Sequence, residues 1–274
     1  MTSSMTPHVL RLPHRPSGLT NPPSGEAFAA RPHGPLRPQA ATRWARVARE
    51  LHRRGHVVVY AFVAAWADQP PAAGALRVLL DDSYRRYQRS DSVEFRRRLV
   101  ASRRLMKAVL AMAPGVNAPR VRPSAVRLGA DRTGRPYVAR GPDAEVSLSH
   151  TGDLLVVGVS RRGRIGVDVE EADRPLLATG IDRLACGDSE RRWLEGLPEV
   201  DRHRALVRLW TLKEAHAKAL GEGLRVDLHA LPFRVEETRV VSAPPAGAGW
   251  HYATATVRRR WCVGVAAHRT AARV

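Results

Sequence analysis

The chain has 274 residues, and its 45 Lys and Arg against 26 Asp and Glu give a formal net charge of +19. That length allows one large or two small domains with a sizeable core. There is no apolar run of about 18 residues and no apolar segment at the N-terminus, so we expect neither a membrane span nor a secretory signal. The two distant cysteines, Cys186 and Cys262, favour a cytoplasmic protein with reduced thiols.

The N-terminal 42 residues differ in composition from the rest. Residues 1–40 contain eight prolines with scattered Ser, Gly and Arg. Such a segment buries too little apolar surface to offset its ordering entropy. Residues 1–42 are therefore predicted to be a disordered extension. The alternative is that they are included only because the start codon was mis-chosen. The next residues, Thr42 to Arg54, predict a short basic helix with Thr42 as its N-cap.

Residues 43–160 read as the first half of the fold. The apolar stretch from His56 to Trp66 predicts a buried strand. Helical patterns follow over 76–89 and 90–112. Residues 126–138 then predict two strands joined by a turn at 131–137, and a further strand covers 146–150.

Residues 161–274 read as a second half with a similar order of elements. Residues 153–161 and 164–170 predict a hairpin, followed by helical patterns over 176–220 with breaks near Gly187 and Pro198. Strands are predicted over 231–239 and 251–268. The whole is an α+β chain in which strand, helices and strands occur twice, although no sequence repeat is visible.

Two segments carry candidate chemistry. Asp168 and Glu170 lie on one face of a predicted strand, and Trp210, Glu214 and Lys218 are each four apart on a predicted helix, so they form one row. The ordinary alternatives are a solvated strand face and a surface ion pair. Against these, two of only three lysines fall in this helix while the chain has 42 arginines. Neighbouring carboxylates need a cation between them, and Mg²⁺ prefers such oxygen ligands.

These segments resemble a known signature pair. Gly166-Val167-Asp168-Val169-Glu170, followed by Trp210-Thr211-Leu212-Lys213-Glu214-Ala215-His216-Ala217-Lys218, is similar to the motifs of the 4′-phosphopantetheinyl transferases, closest to the surfactin-synthetase-activating type. The resemblance covers roughly residues 56–270. It implies two pseudo-symmetric α+β halves in a monomer, with the site between them.

The resemblance also implies a reaction. Phosphopantetheine would pass from coenzyme A to a serine of an acidic acyl or peptidyl carrier protein of polyketide, nonribosomal peptide or fatty-acid synthesis, with release of adenosine 3′,5′-bisphosphate. Asp168, Glu170 and Glu214 would hold Mg²⁺. Either Glu214 or a metal-held water would be the base, and Lys218 would face the leaving phosphate.

Further residues are implied to hold the cofactor's phosphates. Arg97, or Arg98 in the neighbouring register, matches the family's arginine near the start of a helix. Arg135 stands where the family has Lys in a Gly-Lys-Pro turn. Ser149 and His150 match the family's Ser-His, whereas Ser147 replaces its Asn.

Two other functions are weighed against transfer. A nucleic-acid-binding protein would account for the positive charge, but aromatic residues are only 5% of the chain and stacking platforms are scarce. A relative that binds coenzyme A without transfer would not need Asp168, Glu170, Glu214 and Lys218 together.

Overall fold

Residues 32–39, 41–67, 72–114, 121–236, 239–242 and 249–269 are described in this computed structural model. The helices longer than one 3₁₀ turn are α1 (Ala41–Arg54), α2 (Ala64–Ala67), α3 (Ala73–Leu80), α4 (Tyr84–Arg89), α5 (Val93–Leu110), α6 (Ile181–Ala185), α7 (Asp188–Glu195) and α8 (Glu199–Leu220). The strands are β1 (His56–Phe62), β2 (Arg127–Ala130), β3 (Pro136–Arg140), β4 (Glu145–Thr151), β5 (Leu154–Ser160), β6 (Gly163–Glu171), β7 (Arg234–Glu236), β8 (Arg239–Ser242), β9 (Trp250–Val257) and β10 (Trp261–Arg269).

Each half is built on an antiparallel three-stranded sheet covered by one long helix. The first sheet has the order β1-β5-β4 and packs against α5, which begins where the Ser92 hydroxyl accepts the Phe95 N–H. The second has the order β6-β10-β9 and packs against α8. The α+β class predicted from the sequence is confirmed.

The two halves share one topology. In each, the first strand leads through short helices to the long helix, then to a two-stranded ribbon (β2-β3 or β7-β8), then to the last two strands of the sheet. A cluster of buried Val, Leu, Ile and Trp side chains from both sheets fills the space between them. The pseudo-symmetric arrangement is therefore present in the backbone, although the sequence shows no repeat.

Glycine lets α8 lie unusually close to its sheet. A Cβ built on Gly166 in β6 would stand 1.8 Å from the carbonyl oxygen of Ala215, and one on Gly264 in β10 would stand 2.3 Å from that of Thr211. No larger residue fits at either position. The glycine that begins the Gly-Val-Asp-Val-Glu segment, Gly166, is therefore needed for the packing of α8 against β6, two residues before Asp168.

Three local predictions are wrong. The first strand ends at Phe62 and not at Trp66, because the chain turns there into α2. Thr42 lies inside α1, so it is not an N-cap. The segments 153–161 and 164–170 are both strands, but they do not form a hairpin: β5 pairs with β1 and β4, whereas β6 pairs with β10.

The predicted disordered extension, residues 1–42, is also wrong for residues 32–39 and for residues 41–42, which begin α1. His33 forms a parallel bridge with Val59, and the Leu36 N–H donates to the Tyr60 carbonyl. The Leu36 side chain is fully buried in the first core, and its carbonyl accepts the indole N–H of Trp66 at 2.9 Å. Residues 1–31 and 40 lie outside the described residues.

Among the described helices, none is both long and apolar enough to cross a lipid bilayer.

Candidate active site

Asp168 is the centre of the site. It lies on the face of β6 that α8 covers, and its side chain is nearly buried, with 5% of the residue exposed. Its Oδ1 accepts the Ser149 hydroxyl at 2.7 Å and the Lys218 ammonium at 2.5 Å. The Lys218 ammonium also donates to the Ser149 hydroxyl oxygen at 3.0 Å. Three elements, β4, β6 and α8, therefore converge on one carboxylate oxygen.

The other oxygen of Asp168 has no such partner. Oδ2 is buried and has no hydrogen bond among the described residues. An ionised, buried oxygen without a donor is costly, so this atom marks a place where a cation or donor is expected.

Glu170 and Glu214 lie within electrostatic range of Asp168. Burial, and next the charge of Asp168, raise the pKa of both carboxyl groups. Glu170 is ion-paired with Arg174 and accepts a hydrogen bond from the indole of Trp210. Sequence reasoning placed Trp210 in the same row as Glu214 but gave it no contact.

The three carboxylates do not converge as a preformed ligand set. Within the part of the chain that the structure describes, no three His, Cys, Asp or Glu side chains are grouped so that they could hold a metal ion. Instead, Lys218 donates to the Oδ1 of Asp168. Asp168, Glu170 and Glu214 thus remain a predicted magnesium set, and the orphaned Oδ2 and the raised pKa values are features that a cation would relieve.

Strand β4 is held to β6 by serine hydroxyls. Ser147 accepts the Val167 N–H at 3.1 Å, and Ser149 accepts the Val169 N–H at 3.3 Å. Ser147, which stands where the family has Asn, therefore contacts the edge of β6. Sequence reasoning missed this role, because nothing in the sequence pairs β4 with β6.

His150 and Arg98 line the same region. Desolvation of the imidazole, followed by the positive charges of Arg98 and then Lys218, lowers the pKa of His150. Arg98 also pairs with Glu94 one turn earlier in α5 at 3.1 Å. Arg97, the first choice of the sequence prediction, is exposed on a neighbouring face of α5. The geometry therefore favours Arg98 beside His150.

Arg135 reaches from the β2–β3 turn to the end of α8. A Cβ on Gly221, the C-terminal cap of α8, would lie 2.8 Å from its Nη1. Its other terminal nitrogen pairs with Glu145 at 2.7 Å. A cation at a helix C-terminus is favourable, so Arg135 joins the two halves close to Lys218.

The two lysines of α8 have different environments. Lys213 is fully buried and donates to Glu190 and to the carbonyls of Ala185 and Leu228, at 2.6, 2.6 and 2.8 Å. Glu190 in turn accepts the Phe233 N–H at 2.8 Å. Lys213 therefore fixes α8 to the surrounding segments, whereas Lys218 faces the site.

Part of the chain that includes the site matches a known family model. Residues 164–266, which include Asp168, Glu214 and Lys218, match the model of the 4′-phosphopantetheinyl transferase superfamily. The resemblance read from the sequence is thereby confirmed.

Several curated relatives are similar over part of their length. A phosphopantetheinyl transferase from Thraustochytrium sp. is 28% identical over 64% of this chain and 64% of its own. The 4′-phosphopantetheinyl transferase HetI from Nostoc sp. is 28% identical over 53% and 61%. A 4′-phosphopantetheinyl transferase from Bacillus subtilis is 25% identical over 52% and 62%. The chain thus spans less than two thirds of each of these relatives.

Among solved structures, a holo-(acyl-carrier-protein) synthase from Bacillus anthracis in complex with CoA (3′,5′-ADP) is 19% identical. The matched region is 40% of this chain and 98% of that synthase, with a TM-score of 0.34.

Proposed function

We propose that this chain, a member of the 4′-phosphopantetheinyl transferase superfamily by its residues 164–266, transfers the phosphopantetheine group of coenzyme A to a serine of a carrier protein. The observation that carries the proposal is the arrangement of Lys218, Ser149 and Asp168 around one oxygen, with Glu170 and Glu214 beside it. Such a set presents a cation and several acids to an anionic substrate.

The acids are chemically suited to a magnesium ion, although they are not arranged as a preformed set. The buried Oδ2 of Asp168 lacks a donor, and burial and mutual repulsion raise the pKa of Glu170 and Glu214. A divalent cation between them would relieve both effects, and oxygen donors suit Mg²⁺. When bound, the metal would supply charge neutralisation to the pyrophosphate of coenzyme A.

The chain's own groups would handle the proton and the leaving group. The serine oxygen forms a bond to the phosphorus that carries pantetheine, and the bond to the second phosphate breaks, so its electron pair leaves with adenosine 3′,5′-bisphosphate. Glu214 would take the serine proton as the general base. Lys218 stabilises the charge that develops on the leaving phosphate.

The basic groups around the site would orient coenzyme A. Arg98 and His150 lie together beside β4, and Arg135 lies at the end of α8. Guanidinium groups form bidentate contacts with phosphate, so these residues are suited to its phosphates. Two buried free cysteines, Cys186 and Cys262, support a reducing compartment such as the cytoplasm.

The test is the intact mass of acyl and peptidyl carrier proteins after incubation with this protein, coenzyme A and Mg²⁺. We expect a mass gain of one phosphopantetheine group on at least one carrier, and its loss in Glu214→Gln and Lys218→Met. Glu199→Gln, at the exposed start of α8, is the matched control and should keep full activity. If coenzyme A binds but no carrier gains mass, the chain is a coenzyme A-binding relative without transfer.

A further inference from the structure

The shared topology allows the candidate site to be mapped onto the other half of the fold. Leu154 and Trp261 each begin the central strand of a sheet, and both side chains enter the core between the sheets. Their partners on the first strands are Phe62 and Glu171. Counting from these pairs, Val59 occupies the place of Asp168, and Ala61 that of Glu170.

The long helices align through a second pair of buried lysines. Lys107 in α5 pairs with Asp81 at 2.8 Å, and the same Asp81 oxygen accepts the Leu128 N–H at the start of the β2-β3 ribbon. Lys213 in α8 makes the corresponding contacts through Glu190 and the N–H of Phe233, just before the β7-β8 ribbon. With Lys107 matched to Lys213, the row Arg104, Ala108, Met112 stands where Trp210, Glu214, Lys218 stand.

A cavity lies at this second location. Its volume is about 730 Å³, within the range of small-ligand sites. Phe62 at the end of β1, Arg104 of α5 and Arg258 of the β9–β10 turn line it, and residues 35–39 form another wall. These are the counterparts of the end of β6, of α8 and of the β4–β5 turn.

The N-terminal segment takes the place that β4 has in the first site. There, the N–H groups of Val167 and Val169 on the edge of β6 donate to serines of β4. On β1, the N–H of Tyr60, which corresponds to Val169, donates to the His33 carbonyl at 2.9 Å. The segment therefore closes the edge of β1 and shapes the cavity beside it.

The second location lacks the three carboxylates of the first. Val59, Ala61 and Ala108 replace the three carboxylates, whereas Arg37, Arg104 and Arg258 line the cavity. None of the described residues that line it is acidic. Guanidinium groups on several walls suit a compact anion with more than one negative group.

The backbone at Arg258 is a second, independent feature. Its φ is 49°, and the following Arg259 has 57°, both in the left-handed region that disfavours non-glycine residues. The corresponding position in the β4–β5 turn is Gly152, with a φ of 51°. Arginine at the place of glycine directs a guanidinium over the Phe62 ring, 5.3 Å from its centroid, at the mouth of the cavity. Strain of this kind is typical of functional sites.

We infer that this cavity is a second ligand site, which binds a polyanion of about pyrophosphate size through arginines and without a metal. The site has the same surrounding topology as the first but lacks its carboxylates. It needs neither Mg²⁺ nor a carrier protein, so it is independent of the proposed transfer reaction.

The test is equilibrium dialysis of labelled inorganic pyrophosphate against the full chain in EDTA. In EDTA the first site lacks its metal, so wild type is expected to bind one equivalent, at the second site, and Arg258→Gly none. Arg259→Gly is the matched control, because it relieves the same backbone strain but does not line the cavity. It should bind one equivalent. Lys218→Met should keep the equivalent that depends on Arg258.

A parallel series with adenosine 3′,5′-bisphosphate distinguishes a free inorganic anion from the phosphates of a nucleotide. Loss of one equivalent of either anion in Arg258→Gly, but not in Arg259→Gly, supports the second site. The anion that is lost shows whether the site binds inorganic or nucleotide phosphates. Equal binding of both anions by the two variants overturns it. The melting temperature of Arg258→Gly should equal or exceed that of wild type, since glycine removes the strain, so misfolding would not account for a lost equivalent.

Discussion

We expect Lys213→Met to destabilise the protein by about 3–5 kcal/mol, the usual cost of breaking a buried ion pair by removing one partner. Lys213 and Glu190 are 0% and 2% exposed at their side chains. The substitution leaves the carbonyls of Ala185 and Leu228 without their donor, and Glu190 without its counter-charge. Glu190 retains two backbone donors, which moderates the loss.

The measurement is urea unfolding at neutral pH, with the melting temperature as a second readout. A loss of this size corresponds to a decrease of roughly 10 °C for a protein of this length. Lys107→Met is the matched control: Asp81 keeps both Arg127 and the Leu128 N–H, so we expect a smaller loss. The double variant Lys213→Met/Glu190→Gln should recover part of the stability. If Lys213→Met costs less than about 1 kcal/mol, Lys213 does not anchor α8.

Three further outcomes are expected. Removal of residues 1–41 should lower the melting temperature, because burial of the Leu36 side chain alone contributes about 1.5–3 kcal/mol to stability. A chain that begins at Pro32 retains Leu36 and is the control. Equal melting temperatures of the two shortened chains would contradict this packing. In EDTA, Glu214→Gln should be more stable than wild type at pH 7, and the two stabilities should converge below pH 4.5. The reason is that the pKa of Glu214 is raised in the folded protein, so its ionisation costs stability as pH rises. Unfolding curves measured across this pH range check the sign. With coenzyme A saturating, raising the salt concentration should lower the transfer rate more at limiting carrier than at saturating carrier. The reason is that salt screens the charges of a +19 protein beyond about 8–10 Å. A rate at limiting carrier that does not change with salt would leave the charge without a role in recognition.

The sequence predicted which site residues share a face when they are spaced by the period of one helix or one strand. Trp210, Glu214 and Lys218 share a face because they are four apart, and the alternation of β6 directs Asp168 and Glu170 to one side. The contacts between segments distant in the chain were not predictable. No local pattern shows that Ser147 and Ser149 bond to β6, and a turn between β5 and β6 favours a hairpin whether or not the strands share a sheet.

The shared topology of the two halves was not predictable for a different reason. Equivalent positions have kept their backbone pairings but not their residue types, so Val59 stands for Asp168 and Arg104 for Trp210. Leu36 was missed because one apolar residue among prolines has no periodicity. Its burial depends on a parallel bridge to β1, which the local sequence does not encode.

The two locations differ in whether their ligand would need a metal. At the first, burial and then the charge of Asp168 raise the pKa of Glu170 and Glu214, so their ionisation costs stability. At the second, valine and alanine fill the acidic positions, so this cost is absent. The edge of β1 is also closed there, because the N–H of Tyr60 donates to the His33 carbonyl. Arginines on α5 and on the β9–β10 turn line the cavity and could attract an anion directly. The two proposals together therefore assign a metal to the first location only.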